Sequence, residues 1–276
     1  MNDAEIRAFC TRVLQAPDLA GKLRGPDGDP QVSEAEGPPS RPARGLGLEL
    51  GSGAAPLPRP GALGDPAARA LALARFAHHE LQAVELFAWA ILRWPDAPVG
   101  LRRGWLQVLG DEQRHALLYL RRVRALGAAF EDFAPHSDYL WGHLPALDAA
   151  ADGPATFLSA MGLTLEQANL DFSALYRDAF AEAGDTESAA VCEVVHADEI
   201  GHVAMAAQWL RTLRSEPDDV SRYEATVPFP LSAARAKGRR FDVTARRQAK
   251  LDAEFIEHVR RARSTQERGL APAGES

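Results

Sequence analysis

The pattern of apolar and polar positions changes sharply along the chain. From Asp65 to Arg214, apolar residues recur every three or four positions, the period of an amphipathic α-helix. Residues 17–60 are instead dense in proline and glycine and keep no such period. Residues 1–15 can form a short amphipathic helix. The pattern therefore predicts a helical region that follows a loop-rich or disordered arm.

Four long helices are predicted in this region, each opened by a capping residue or proline and closed by proline or glycine. Their predicted limits are Asp65 to Trp94, Pro98 to Gly127, Asp152 to Gly184 and Asp185 to Glu216. Helices of this size are about 45 Å long at 1.5 Å per residue. Short turns join the first pair and the second pair, and residues 128–151 form a long crossover. Two helical hairpins joined in this way predict an all-α, ferritin-like four-helix bundle.

The same pattern predicts three regions. Residues 1–64 are a flexible proline- and glycine-rich N-terminal extension, residues 65–216 are the bundle, and residues 217–276 are a C-terminal loop with a packing helix. We expect that helix around Asp242 to Arg263, where Leu251, Phe255 and Val259 share one face.

Composition narrows the classes of partner and compartment. The formal net charge of -7 provides no broad basic face for a polyanion, so tRNA binding is not supported by charge, although 31 lysines and arginines can still form a local patch. Two cysteines, Cys10 and Cys192, are too few for a disulfide framework and indicate a reducing compartment. The acidic N-terminus and the lack of a long apolar run disfavour secretion and membrane insertion. We therefore expect a cytoplasmic protein.

A sequence motif repeats once on the second and fourth predicted helices. The second contains DEQRH at 111–115 and the fourth contains DEIGH at 198–202, so each carries a glutamate and a histidine three positions apart on one face. One such motif is expected by chance. However, Glu80 and Glu166 stand on the first and third helices, 32 and 33 residues before Glu112 and Glu199. The half-bundle therefore repeats, and this inventory of residues is the one found in carboxylate-bridged dinuclear helical bundles.

Helical periodicity supports an inward position for these residues. On the second helix, Glu112 and His115 share a face with an apolar stripe, and three arginines lie opposite. The stripe consists of Leu101, Trp105, Val108, Tyr119, Val123 and Leu126, and the arginines are Arg103, Arg114 and Arg121. On the fourth helix, Glu199 and His202 share a face with Cys192, Val195, Ala206, Leu210 and Leu213. A buried glutamate is costly unless it is compensated, and a metal ion compensates it directly.

The predicted metal ligands, and the residues expected to carry the catalysis, are Glu80, Glu112, His115, Glu166, Glu199 and His202. Four carboxylates nearly neutralise two divalent ions, and two imidazoles complete coordination while leaving positions open for oxygen. Two iron ions fit this set best, manganese fits second, and zinc third, because zinc usually takes fewer ligands with more nitrogen or sulfur. Any one motif alone is more simply explained as solvated helix surface or as a satisfied core pair.

Other polar residues of these helices are expected to play lesser parts. Glu85 and Glu193 fall off the ligand stripes and are not assigned as ligands. Tyr119, one turn after His115, is either a redox-active or hydrogen-bonding neighbour of the ligands or an ordinary core tyrosine. Cys192 is expected to be a small core residue. We expect His78, His79 and His196 to support the ligands or to pack between helices.

The segments FAHHELQAVELFAWAILRWPDAP, DEQRH, MGLTLEQANLD and ADEIGH occur in this order over residues 65–214. With them the chain resembles a bacterial ferritin-like family of unknown function, which is distantly similar to the di-iron hydroxylase that acts on a modified tRNA adenosine. The resemblance implies that Asp111 and Asp198 hold the ligand imidazoles. Gly201 stands where the first motif has Arg114, so a salt bridge from that arginine is missing in the second motif.

The leading functional hypothesis is an oxidoreductase whose di-iron centre activates O2 to hydroxylate or desaturate a small organic substrate or modified nucleoside. An external electron donor is required, because the chain has no cysteine-rich iron site. A homodimer is compatible with the sequence. The alternatives are a ferroxidase, iron-handling or peroxide-scavenging protein without an organic substrate, and an accessory protein with a vestigial site.

The third helix carries small or polar inward residues around Glu166, which are Ser159, Gly162, Asn169 and Ser173. They predict either a substrate cavity beside the metals or close helix packing.

Overall fold

The computed structural model describes residues 1–26 and 37–263, and every extended regular element in these ranges is helical. Leu50 and His136 form an isolated parallel β-bridge. The prediction of an all-α chain is therefore confirmed for the described residues. Part of the predicted proline-rich arm, residues 27–36, and the end of the C-terminal region, residues 264–276, lie outside them. None of the helices in the described ranges combines the length and apolar character needed to cross a membrane.

The chain divides into two compact units. The first unit consists of Met1–Pro145 and Tyr176–Cys192, and the second consists of Ala146–Leu175 and Glu193–Ser276. The region boundaries after residues 64 and 216 remain predictions.

The helices that come before residue 126 are α1 (Asp3–Gln15), α2 (Leu19–Leu23), α3 (Pro66–Arg93) and α4 (Val99–Ala125). Those that follow are α5 (Leu144–Asp148), α6 (Gly153–Phe157), α7 (Gln167–Glu182), α8 (Thr186–Leu213), α9 (Asp219–Thr226), α10 (Val243–Gln248) and α11 (Ala253–Arg261). Single 3₁₀ turns occur at Pro60–Ala62, Phe130–Phe133, Trp141–His143 and Ala233–Arg235. Helices α3, α4 and α8 match three of the four long helices predicted from the sequence.

The predicted caps explain where two of these helices begin. The Asp65 side chain accepts a hydrogen bond from the Ala67 amide at 3.0 Å, and Pro66 occupies the first helical position, where no amide hydrogen is needed. Asp185 accepts a hydrogen bond from the Ser188 amide at 3.0 Å at the start of α8. Both aspartates satisfy amide groups that the helix itself cannot pair.

The third predicted helix is not uniform, contrary to the expectation of one continuous α-helix. It consists of α6, a π-helical segment over Leu158–Glu166, and α7. The Thr164 hydroxyl donates to the carbonyl of Ser159, five residues earlier, at 2.7 Å. A π-helix pairs residues five apart, so this side chain follows the same spacing as the backbone, and such segments are frequent at functional sites. The last residue of the π-helical segment is Glu166.

In the first unit, the described part of the N-terminal extension packs against α3 and α4. The buried face of α1 contains Phe9, Cys10, Val13 and Leu14, and α1 contacts α3. Helix α2 contacts α4, where the Gln113 amide group donates to the carbonyl of Lys22 at 2.7 Å. The amphipathic helix expected over residues 1–15 is therefore present and contributes to a core.

A buried ion cluster fixes this extension to α3. The Lys22 ammonium lies 2.8 Å from one oxygen of Glu85, and the Arg44 guanidinium lies 2.6 Å from the other. The indole of Trp141 donates to Glu85 at 2.8 Å. Burial lowers the pKa of Lys22, and the Glu85 carboxylate opposes that shift. Glu85 therefore lies off the ligand stripe, as predicted, but is a fully buried carboxylate with its own partners.

In the second unit, the C-terminal region anchors helix α7. Buried Arg246 forms a forked ion pair with buried Asp171, at 2.7 and 2.9 Å. Asp171 also accepts from the Gly238 and Asp242 amides at 2.8 and 2.7 Å. Four donors on one carboxylate compensate its removal from water.

The predicted packing helix over 242–263 is in fact two short helices, α10 and α11. Lys250 adopts a positive φ of 56°, and the Leu251 amide donates to the carbonyl of Arg246 at 3.2 Å. This is a Schellman ending, which stops α10 before a continuous helix can form. The predicted apolar face is confirmed, because Leu251, Phe255 and Val259 are all buried.

Candidate metal centre

The structure buries all six predicted ligands, with exposed fractions of 0–4%. Glu80 lies on α3, Glu112 and His115 lie on α4, Glu166 ends the π-helical segment, and Glu199 and His202 lie on α8. The stripe predicted for α4 is confirmed at Leu101, Trp105 and Val108, which are buried, whereas Arg103 and Arg114 are exposed; the last predicted member, Leu126, is only half-buried. The amphipathic period of the helices thus places carboxylates among apolar side chains.

Three of these residues form a group within the first unit. Glu80, Glu112 and His115 each offer a ligand atom, and these atoms lie within 4.8 Å of one another. Nδ1 of His115 lies 3.3 Å from Oε2 of Glu112, as expected for residues three positions apart on a helix. We call this group the first triad.

The second unit contains the equivalent group. Glu166, Glu199 and His202 offer ligand atoms within the same 4.8 Å limit. Nδ1 of His202 lies 3.4 Å from Oε2 of Glu199. This second triad has the residue types and the glutamate–histidine geometry of the first, so the sequence repeat is also a repeat of local structure.

The donor types in each triad suit a hard or borderline divalent cation. Two carboxylates and one imidazole supply oxygen and nitrogen atoms, the ligands that iron and manganese take in helical bundles. Buried carboxylates are costly without positive charge close by, and a bound cation supplies that charge. The residues present therefore fit a divalent metal ion.

Tyr119 and Cys192 lie together inside the first unit. Tyr119 is buried, its ring centroid is 5.4 Å from that of Phe76, and it forms a hydrogen bond with the Cys192 thiol. Burial raises the pKa of Cys192 to about 12, and the hydrogen bond from Tyr119 acts in the opposite direction. The structure thus shows Tyr119 as a hydrogen-bonding residue of the core and Cys192 as a protonated core thiol.

The two aspartates of the motifs have different surroundings. Asp111 accepts a hydrogen bond from Arg114 at 2.8 Å, and Asp198 is half-buried on α8. Gly201 occupies the position equivalent to Arg114 and has no side chain that could form the same pair. The role expected for Asp111 and Asp198, which is to hold the ligand imidazoles, remains a prediction.

Several histidines outside the triads are engaged in packing. In the first unit, His78 donates from Nε2 to the carbonyl of Ser137 at 2.7 Å, and its ring stacks on His136 at 4.5 Å. In the second unit, Nδ1 of His196 lies 3.0 Å from the Ser173 hydroxyl. Glu193, which precedes His196 by three positions, is exposed. These contacts are compatible with both roles expected for His78 and His196, which are to support the ligands or to pack between helices.

Two polar contacts near Glu166 were not predicted. Asn169 donates to Oε1 of Glu199 at 3.0 Å, and the Thr164 hydroxyl lies 2.7 Å from that of Tyr223. The feature of the sequence that hints at these contacts is the run of small polar residues on the inner face of the third predicted helix. A Cβ added at Gly162 would collide with the Cβ of Ala206, and Ser159 is hydrogen-bonded to Thr226 at 2.6 Å. At Gly162 and Ser159 the structure therefore shows close packing, the second of the two alternatives predicted there.

Comparison with known proteins places the chain among relatives whose descriptions state no activity. A family model described as "Protein of unknown function (DUF455)" matches residues 1–257. An "Uncharacterized protein" of Haemophilus influenzae is 26% identical over 151 residues, which cover 52% of this chain and 51% of that protein. The chain therefore spans about half the length of this curated relative. No solved structure matches.

Proposed function

Because the chain belongs to the family described as protein of unknown function (DUF455), its activity has to be inferred from its own residues, and we propose that it is a metal-dependent oxidoreductase with a dinuclear iron centre. The six ligands would be Glu80, Glu112, His115, Glu166, Glu199 and His202. The surrounding helices α3 and α4, the π-helical segment with α7, and α8 would form a ferritin-like four-helix bundle.

The observation that supports this proposal best is the pair of buried triads with a shared sequence pattern. Each triad is a complete set of two carboxylates and one imidazole. Glu80, Glu112 and His115 would hold one cation, and Glu166, Glu199 and His202 would hold the other.

Charge supports two cations rather than one. Four buried glutamates carry four negative charges when ionised, and two divalent cations neutralise them. Two neutral imidazoles add nitrogen donors without changing this balance. Iron in such a site would supply electrons and open coordination positions for activating O2. Manganese accepts the same donors and is the second candidate.

The residues of the chain would bind the cations, hold them in fixed positions and exclude bulk water. The six side chains are fixed on helices rather than loops, which favours a constant ligand geometry. Buried apolar side chains on the same helices, such as Trp105 on α4 and Val195 on α8, exclude water, and a poorly solvated environment strengthens electrostatic interactions. The substrate we propose is a small organic molecule, with electrons supplied by a separate donor.

Metal analysis tests this proposal directly. Full-length protein from iron-supplemented cells is expected to contain about two iron ions per chain and to change its optical spectrum when it is reduced and then exposed to oxygen. Glu112→Ala and His202→Ala are each expected to lose at least one ion per chain, because each removes a ligand.

Glu193→Ala provides a matched control. It removes the glutamate of another Glu-x-x-His sequence on α8, but this residue is exposed and belongs to neither triad. Its metal content should equal that of the wild type. Retention of two ions per chain by Glu112→Ala and His202→Ala would refute the ligand assignment, and a wild-type chain that binds no metal after reconstitution would refute the function.

A further inference from the structure

One of the proposed metal-binding carboxylates, Glu199, accepts a hydrogen bond from an amide side chain. Asn169 on α7 donates from Nδ2 to Oε1 of Glu199 at 3.0 Å. Glu199 is fully buried, and its other oxygen, Oε2, lies 3.4 Å from Nδ1 of His202. The hydrogen bond therefore uses one carboxylate oxygen and leaves the other beside the second ligand of the same motif. An oriented carboxylate loses less rotational freedom when a cation binds.

Asn169 is itself held by a short network in the second unit. The Ser173 hydroxyl donates to the backbone carbonyl of Asn169 at 2.5 Å. A serine hydroxyl has one proton, so the contact of 3.0 Å between Ser173 and Nδ1 of His196 must use a proton on the histidine. His196 precedes Glu199 by three positions, and Ser173 follows Asn169 by four. Asn169 is thus linked to Glu199, and Ser173, one turn later on α7, is linked to His196, one turn earlier on α8.

The sequence repeat shows that this contact belongs to one half only. Asn169 follows Glu166 by three residues, and the residue three positions after Glu80 is Ala83. The methyl group of Ala83 cannot donate a hydrogen bond. The two triads have the same ligand types, but only the second half has an amide donor at this position of the repeat.

We propose that Asn169 is a positioning residue that orients the Glu199 carboxylate and thereby strengthens binding of a divalent cation by the second triad. This inference rests on the proposed metal-binding function. Hydrogen-bond partners of metal ligands typically change metal affinity by about 10- to 100-fold when they are removed. Loss of the amide should therefore weaken one of two binding steps and leave the chain folded, because Asn169 is only half-buried.

Anaerobic titration of the metal-free full chain with Co²⁺, followed by its visible absorption, tests the proposal without an activity assay. The wild type is expected to bind two ions per chain. Asn169→Ala and Asn169→Leu should both weaken one step by about 10- to 100-fold and alter the corresponding absorption bands. Leucine has nearly the shape of asparagine but cannot donate, so it separates the hydrogen bond from simple packing. Glu193→Ala serves as the control on α8.

The outcomes separate this inference from the function on which it rests. If the wild type binds two ions and both Asn169 variants match its affinities, Asn169 has no positioning role. If Asn169→Ala weakens binding while Asn169→Leu matches the wild type, the residue only fills space and the proposal fails. A wild type that binds no Co²⁺ overturns the proposed function and this inference with it.

Discussion

Two helical segments each carry a single proposed ligand, and their backbones differ. Glu80 lies in the middle of α3, an uninterrupted α-helix of 28 residues, whereas Glu166 ends a π-helical segment of nine residues. Within their own units, α3 packs closely with α4, and the π-helical segment contacts α9. A regular helix presents its side chains by its period alone. A π-helical segment shifts the side chains that follow it, and the surrounding contacts must maintain that shift.

The contacts that surround the π-helical segment are specific. Because the Thr164 hydroxyl uses its proton on the carbonyl of Ser159, the hydroxyl of Tyr223 must donate to Thr164. Gly162 allows Ala206 to approach where any larger residue would collide. This segment therefore depends on individual residues of the C-terminal region and of α8, and α3 depends mainly on its apolar face.

The largest effect is expected from Asp171→Ala, which leaves Arg246 buried without its partner. Breaking a buried ion pair typically costs about 3–5 kcal/mol. Urea denaturation should show this loss, and hydrogen exchange should become faster over residues 158–166 than over α3. Glu85→Ala on α3 leaves Lys22 and Arg44 without their carboxylate partner and should cost a similar amount. In this variant, hydrogen exchange should become faster over α3 than over residues 158–166. Equal exchange changes in both regions for both variants would contradict the distinction between them.

A smaller effect is expected from Gly162→Ala. The added methyl group collides with Ala206, and overpacking of this kind typically costs about 1–3 kcal/mol. Gly201→Ala is the matched control, because a Cβ there meets no neighbour, and in a helix it should stabilise by roughly 0.5–1 kcal/mol. The sign of the change in unfolding free energy, measured in urea, distinguishes the two positions. Equal stabilisation by both variants would show that the close approach at Gly162 is absent.

Tyr223→Phe should cost about 1 kcal/mol, the usual net contribution of one hydrogen bond. Thr164 keeps the bond that it donates, so the loss should be confined to the contact between α9 and the π-helical segment. Tyr176→Phe removes the hydroxyl that donates to Pro58 in the first unit at 2.6 Å and serves as a comparison of equal chemistry. Hydrogen exchange over residues 158–166 should respond to the first variant and not to the second.

Mild acid should act on the region of α3. His136 donates from Nε2 to the carbonyl of Gly47 at 3.1 Å and accepts at Nδ1 from Arg75, an arrangement that only the neutral ring allows. Burial lowers the pKa of His136 from 6.5 to about 4. The histidine of the unfolded chain is protonated at a higher pH than the folded one. The contribution of His136 to the free energy of unfolding is therefore fully present above pH 6.5 and is lost as the pH falls towards 4.

His136→Gln removes the titrating group. Urea midpoints measured between pH 7 and pH 4 should therefore fall less steeply in the variant than in the wild type. Identical slopes would show that His136 does not contribute to acid sensitivity.

The sequence predicts those features that depend on local chemistry. Asp65 and Asp185 mark helix starts because they cap amides nearby, and the helical period places Glu112 and His115 on the buried side. The π-helical segment was not predicted, since residues 157–165 are mostly apolar and show no period that separates a π-helix from an α-helix.

Contacts between distant residues were missed for a different reason. The pairing of Lys22 with Glu85, and of Arg246 with Asp171, depends on how the chain returns to itself, and a single sequence does not state this. The helical period places Asn169 on an inner face, but it does not identify Glu199 as its partner.

The Glu85 cluster has a consequence for how this chain can change over generations. Lys22 and Arg44 come from sequence positions far from α3, yet both neutralise one buried carboxylate. Loss of one cation leaves Glu85 paired with the other, loss of both strands its negative charge in the core, and loss of Glu85 alone strands two positive charges. A lineage can therefore lose the N-terminal segment that carries both cations only if residue 85 changes as well, so this segment and α3 are inherited together.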